Sequence, residues 1–357
     1  MAEPKIRLVV LFGGQSAEHE VSRISARHVL AAVDTRRFDV DPVAITKDGR
    51  WLLADETKRA LAAGADSLPD ALPTTGTSME PLQALSPRDA GEQIVVFPLL
   101  HGPLGEDGTV QGLLELAGVP YVGCGVLSSA LAMDKAMAKA VFAGAGIPQA
   151  AYMSFHADEF ADTQLPERLV TALGLPIFVK PANMGSSIGV SKAHDVHELH
   201  AAIVTALTYD EWVVCEETID GREIECAVLG NRTPRASVPG EIEPGAEFYD
   251  YDDKYFAGAA KMMVPAAVPA DVAADIEVLA VQAYQALRCE GLARVDFFYE
   301  STGRGLLVNE INTMPGFTPV SMYPKMWEAS GLSYRDLITE LAELAIERSQ
   351  RRRRRVD

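Results

Sequence analysis

A chain of 357 residues, 48% hydrophobic and 23% charged, has enough material to bury a sizeable core and to divide into two or three domains. Its formal net charge of −18 excludes a general nucleic-acid binder, which needs a basic surface to displace counterions, but leaves nucleotide binding open. No apolar run is long enough to span a bilayer, and IRLVVLF lacks the length and cleavage signal of a secretory peptide, so the expectation is a soluble, cytoplasmic protein without a membrane partner.

The opening predicts strand, loop, helix. KIRLVVLF is a buried-strand pattern, GGQSAEHE a loop with two glycines, and VSRISARHVLAAV an amphipathic helix. A second strand, DVDPVAIT, follows, and a third, QIVVFPLL, ends at His101 and Gly102. Residues 57 to 92, rich in Ala, Pro, Thr, Ser and Asp, read as an excursion with mobile parts. This alternation predicts an α/β domain with a parallel sheet. A helix near Met133 to Gly146 gives way to Ile147 and Pro148, which open a new region. There LPIFVKPA is a strand, NMGSSIGVSKA a glycine and serine loop, DVHELHAAIVTAL a helix and EWVVCEETI a strand. From REIECAVLG onward the pattern is mainly antiparallel strands, with helices around residues 267 to 288 and 333 to 349. Boundaries near residues 134 and 225 give units of 1–134, 135–225 and 226–350. The arginines Arg351 to Arg355 open a basic tail, 351–357, read as disordered and solvated. Cys124, Cys215, Cys226 and Cys289 form no CxxC pair or zinc pattern and read as buried, reduced thiols.

The richest stretch runs from Ala293 to Asn312: ARVDFFYE, the turn STGRG, then LLVNEIN. Two apolar runs joined by a short segment with two glycines predict a β-hairpin. A turn centred near Thr302 and Gly303 sets Asp296 opposite Glu310, and the period of two brings Arg294 and Asn312 to the same face. Val295, Phe297, Leu307 and Ile311 fall on the other, packed face. Two carboxylates and an amide oxygen converging from two strands suit Mg²⁺, which completes its shell with water and nucleotide phosphates; the competing reading is a solvated face with cross-strand charge pairs.

Other signals concern phosphate. Gly13 and Gly14, between a strand and a helix, could hold an anion, although GxGxxG and Walker A patterns are both missing, which speaks against a dehydrogenase and a P-loop protein. Lys180 at a strand end, with Gly185-Ser186-Ser187-Ile188-Gly189 just beyond, could neutralise and cover a polyphosphate. Glu216 and Glu223 bracket a loop and fit caps or surface charge as well as a ligand role. EFYDYDDKYF, residues 247 to 256, carries so many aromatics for a loop that closure over something is expected.

Taken together, GGQSAEHEVS, LLHGPLGEDGTVQGLLELAGVPYVGCG, MDKAMAK, VKPANMGSSIGVSK, FYDYDDKY, RVDFF and NEINTMPGFTPVSMYP resemble the D-alanine–D-alanine ligases of the ATP-grasp superfamily. The resemblance implies a three-domain ATP-grasp architecture: an N-terminal parallel α/β domain, a central α+β lid domain and a C-terminal α+β domain with a mainly antiparallel sheet. It implies a homodimer, and a reaction in which ATP phosphorylates one D-alanine carboxylate and the amine of a second attacks the acyl phosphate. Asp296, Glu310 and Asn312 resemble the ligands of Mg²⁺ or Mn²⁺, two ions being expected. Lys135 and Lys180 resemble the lysines on the ATP phosphates, and Lys254 the one near the γ-phosphate. Glu223 would hold the ribose, and Glu216 with the backbone near Glu217 and Ile219 the adenine. Glu18 resembles the partner of the first D-alanine's ammonium, with His101 nearby in a structural or a catalytic role. Arg294 and the Gly316 N–H would stabilise the oxyanion, Ser321 and Met322 would receive the second substrate's carboxylate, and Ser186 with Tyr255 would complete a hydrogen-bond link to Glu18. A tyrosine at position 255 accompanies D-alanine as second substrate; ligases using D-lactate or D-serine, or a non-catalytic nucleotide-binding relative, are the alternatives.

Overall fold

The computed structural model describes residues 5–243, 261–318 and 320–352. Among these residues the strands fall into three sheets. The first has the order β4-β3-β2-β1-β5, built from β1 (Ile6–Gly13), β2 (Phe38–Ile45), β3 (Trp51–Leu53), β4 (Thr77–Ser78) and β5 (Ile94–Pro98). β1 runs parallel to β2 and β5, and Leu8 to Phe12 are wholly buried, because a central parallel strand is covered on both faces. The sheet is mixed rather than purely parallel: β3 pairs antiparallel with β2, and β4 with β3. Part of the expected excursion is therefore regular, with helices Asp55–Ala63 and Pro81–Leu85 on either side of β4.

The central sheet has the order β6-β9-β7-β8 and is antiparallel throughout. Its strands are β6 (Tyr152–His156), β7 (Ile177–Pro181), β8 (Ser191–Ala193) and β9 (Trp212–Glu217). Helices Leu165–Leu173 and Val196–Ala206 cover it, the second capped by Asp195, which accepts from the Glu198 N–H. This unit has its own core of Phe155, Leu169, Ile177, Val179, Ile203 and Val213. Its two ends meet: the Glu217 N–H donates to the Ala151 carbonyl (3.0 Å), and the Ala151 N–H to Glu217 Oε1 (2.6 Å).

The third sheet has the order β13-β12-β10-β14-β15, with β11 also paired to β10. It comprises β10 (Arg222–Gly230), β11 (Arg235–Ala236), β12 (Gly240–Glu243), β13 (Lys261–Met263), β14 (Gly291–Glu300) and β15 (Gly305–Asn312). Residue 225, expected near a boundary, falls inside β10, all of which belongs to this sheet. One face packs on helix Ala270–Ala286 through Ile276, Ala280 and Tyr284. The other end joins the first domain in a single apolar cluster, where Leu8, Val10 and Phe97 share a core with Leu292, Phe317 and Tyr323.

The C-terminal helix, Tyr334–Arg352, ties the same two domains together. Arg348 is 3% exposed; it donates to the carbonyls of Gly123 and Tyr121 and lies 4.2 Å from the Tyr121 ring centroid. The expected solvated tail is corrected at its first two residues. Arg351 and Arg352 continue the helix and both pair with Glu290, a largely buried acid; as cations in the last turn they also sit at the end of the helix dipole that favours positive charge. All four cysteines are free and buried. No helix among the described residues is long and apolar enough to cross a membrane.

Candidate active site

A cavity of ≈ 670 Å³ opens where the three sheets meet. The hairpin of β14 and β15 forms one wall in the expected register, with Arg294 opposite Asn312 and Asp296 opposite Glu310. Below Asp296 the register shifts by a bulge: Phe297 pairs with Val308, leaving Asn309 as the extra residue. The bulge corrects one placement. Val308, not Leu307, joins Val295, Phe297 and Ile311 in the packed cluster, while Leu307 pairs with Phe298. A single inserted residue reverses the parity of everything beyond it.

Arg294 grips Asp296 through two bonds of 2.7 Å, and its Nε is 3.2 Å from Glu225 Oε2. Burial alone would lower the guanidinium's pKa, but the two carboxylates outweigh it and raise it well above its usual value. Asn312 Nδ2 donates to Asp296 Oδ2 at 2.9 Å, which leaves its Oδ1 as the atom able to meet a cation. No group of three His, Cys, Asp or Glu side chains converges for a metal among the described residues. The set at this wall is two carboxylates and an amide, hard oxygen donors of the kind Mg²⁺ and Mn²⁺ take.

Toward the central sheet, Lys180 Nζ lies 2.8 Å from Glu216 Oε2, and Lys139 Nζ lies 3.0 Å from Glu216 Oε1. Burial would raise the Glu216 pKa, yet the two lysines pull it down to about 2. Lys180 is raised in turn, since Glu216 overcomes the burial that would lower it. Lys135, at the first position of helix Lys135–Gly144, donates to the Met184 carbonyl at 2.6 Å. The Glu217 side chain is engaged with Arg304 (2.7 Å) and the Ala151 N–H, so a ligand there would meet its backbone. Ile219 and Glu223 complete this wall.

At the other end, Ser186 donates to Glu18, a residue 7% exposed at the start of the helix after β1. The loop that carries Ser186 is held in left-handed backbone at both Ser186 (φ 50) and Ser187 (φ 57), a conformation that is costly outside glycine and found where surroundings enforce it. His101 is buried, which depresses its pKa although Glu18 opposes this. The neutral ring donates from Nδ1 to the Met314 carbonyl at 3.0 Å. Gly316 follows in the same loop, where a Cβ would come within 2.6 Å of Ser321 Oγ. Ser321 precedes helix Met322–Ala329 without a side-chain capping bond, and it lines the cavity together with Met322, which brings the N-terminal end of this helix, an end suited to a carboxylate, to the cavity wall.

Every described residue expected at the site lines this one cavity. Lys254 and Tyr255 lie outside the described residues. Sequence reasoning missed Lys139, Glu225 and Glu106. The signals were present as spacing: Lys139 is four residues after Lys135 on one helix face, and Glu225 is two residues after Glu223 on one strand face. Glu106 lies in GPLGEDG, accepts the Gly102 N–H at 2.6 Å and lines the cavity.

The family models described as D-ala D-ala ligase N-terminus and D-ala D-ala ligase C-terminus match residues 7–124 and 141–343. A D-alanine–D-alanine ligase of Acetivibrio thermocellus is 50% identical, with 96% of each chain covered. One of Deinococcus radiodurans is 51% identical over 96% of this chain and 99% of the relative. Among solved structures, the D-alanine-D-alanine ligase from Coxiella burnetii superposes with a TM-score of 0.82 at 38% identity, covering 97% of this chain and 95% of that one. The VanG D-Ala:D-Ser ligase from Enterococcus faecalis gives a TM-score of 0.81 at 38% identity, covering 96% of this chain and 100% of that one. From motif, fold and relatives alike, the chain belongs to the D-alanine–D-alanine ligase family and has its three-domain ATP-grasp architecture.

Proposed function

We propose that this ATP-dependent ligase joins two D-alanines into D-alanyl-D-alanine for peptidoglycan precursor synthesis. The observation that carries this reading is near half identity, along nearly the whole chain, to ligases named for that reaction. A carboxylate is a poor electrophile because its oxygen leaves badly. Its oxygen therefore first attacks the γ-phosphorus of ATP, releasing ADP, and the second amine then attacks the acyl carbon and expels phosphate.

In our reading Glu18, oriented by Ser186, holds the first D-alanine's ammonium, with neutral His101 beside it. Lys135, Lys180 and Lys254 neutralise the phosphates, while Glu216, the backbone at Glu217 and Ile219, and Glu223 hold the nucleoside. Arg294 and the Gly316 N–H face the oxygen that gains charge in the tetrahedral intermediate, where fixed donors in a dry site act most strongly. Ser321 and the Met322 N–H take the second carboxylate, and Tyr255 closes the link to Glu18 through Ser186. Asp296, Glu310 and Asn312 would hold Mg²⁺ or Mn²⁺, two ions in this reading, which when bound withdraws charge from the phosphoryl oxygens. The enzyme would work as a cytoplasmic homodimer. The test is ADP release with and without D-alanine, together with identification of the dipeptide. Turnover with D-serine or D-lactate but not D-alanine as second substrate would overturn the assignment.

A further inference from the structure

We propose that Lys139 is a positioning residue for nucleotide binding, holding the Glu216 carboxylate in place as the acceptor for the adenine amino group once Lys180 has turned to the phosphates. The inference rests on the reading above, in which Glu216 meets the base and Lys180 the phosphates. Glu216 is shared between two ammonium groups, 3.0 Å from Lys139 and 2.8 Å from Lys180. The two are not equivalent. The Lys180 side chain is 13% exposed and reaches the cavity, whereas Lys139 is 2% exposed and sits behind its wall.

An entering polyphosphate can therefore draw only Lys180 away from Glu216. Glu310 and Glu223, which line the cavity with Lys180, also attract its charge, so it belongs to the cleft as much as to Glu216. Lys139 has no such choice: its ion pair among the described residues is with Glu216, and the Tyr152 ring, 5.5 Å from Nζ, packs against it. The helix that starts at Lys135 fixes it there, since one turn separates Lys135, which lines the cavity, from Lys139. A carboxylate this deeply buried, left without a cation, either swings toward other donors or takes up a proton. Both weaken it as an acceptor. A protonated carboxyl keeps only its neutral carbonyl oxygen to accept from the 6-amino group of adenine, while its new hydroxyl can donate to the 6-oxo group of guanine.

The test uses the full-length enzyme with ATP, GTP and ADP as probes. Lys139→Met is expected to raise KM for ATP and Kd for ADP by about tenfold or more, with kcat at saturating ATP changed by less than about threefold and the preference for ATP over GTP reduced. Lys139→Arg should recover most of the ADP affinity, because it restores the cation. Unchanged ADP affinity and unchanged base preference in Lys139→Met would overturn the proposal. The underlying reading is tested apart by Glu216→Gln and Lys180→Met: if neither weakens ADP binding, the reading itself fails. Should Lys139→Met not fold, the pair Lys139→Met/Glu216→Gln removes both charges and decides the matter. Equal ADP affinity in that double variant and in Glu216→Gln alone is expected, since Lys139 acts through Glu216; a further loss overturns the proposal.

Discussion

Ser186 donates its hydroxyl to Glu18, so a loop of the central domain is bonded to the first helix of the N-terminal domain across 168 positions of chain. The loop spends backbone strain to arrive there, with Ser186 and Ser187 both at positive φ. Removing the hydroxyl leaves a buried carboxylate short of a donor, and hydrogen bonds to charged groups are worth about 1.5–3 kcal/mol. Ser186→Ala should lower kcat/KM for the first D-alanine by roughly 10- to 100-fold, measured by ADP release at fixed ATP. A wild-type value would remove Ser186 from the substrate link.

A second expectation concerns the hairpin. Asp296 is opposite Glu310 and receives Asn312, so Asp296→Asn removes charge from the donor set without changing its shape. Mn²⁺ affinity in the presence of ADP, followed by electron paramagnetic resonance, should fall by more than about tenfold. Chelation should silence the native enzyme, and Mg²⁺ should restore it. Equal Mn²⁺ binding in the variant would move the metal elsewhere.

Glu106 supplies the pH dependence. Burial, then the neighbouring Glu18, raise its pKa to about 8. Between the ordinary carboxyl value of 4.5 and about 8 the folded state holds a proton that the unfolded state has lost, so stability falls as pH rises through that window. Glu106→Gln should flatten this slope, and its advantage over the native chain in thermal melts should grow from pH 5 to pH 8. A slope unchanged by the substitution would show that Glu106 does not carry it.

Gly13 ends β1 at a φ of 92, and a Cβ there would lie 2.2 Å from the Ile45 carbonyl oxygen. That oxygen already accepts the Gly14 N–H at 2.8 Å, so neither backbone can yield cheaply. Gly13→Ala combines left-handed strain of about 1–2 kcal/mol with a backbone clash, and a loss of more than about 3 kcal/mol in denaturant unfolding is expected. A variant as stable as the native chain would mean that the turn relaxes freely.

The hairpin register was legible because period two and a glycine turn leave one solution that puts Val295 and Ile311 inside. The bulge was not, since an extra Asn309 in LLVNEIN changes no local preference and only tertiary pairing reveals it. Lys139 shows a second limit. In MDKAMAKA it reads as one more exposed lysine on an amphipathic helix, and its burial depends on Glu216, which is 77 positions away in sequence and adjacent only in the folded molecule. Arg351 and Arg352 were misread for the same reason: a run of like charge looks solvated until Glu290 is placed beneath it.

The meeting of Ala151 and Glu217 has an architectural consequence. The intervening segment leaves the remainder of the chain and returns to it at nearly one point, as an inserted module does, and it closes on a core of its own. The parts before and after it are sewn into a single body by the shared apolar cluster and by Arg348. Covalently the chain is three domains in a row; by packing it is two bodies, the first and third domains sharing one core and the inserted segment keeping its own, with the cavity at the seam between them.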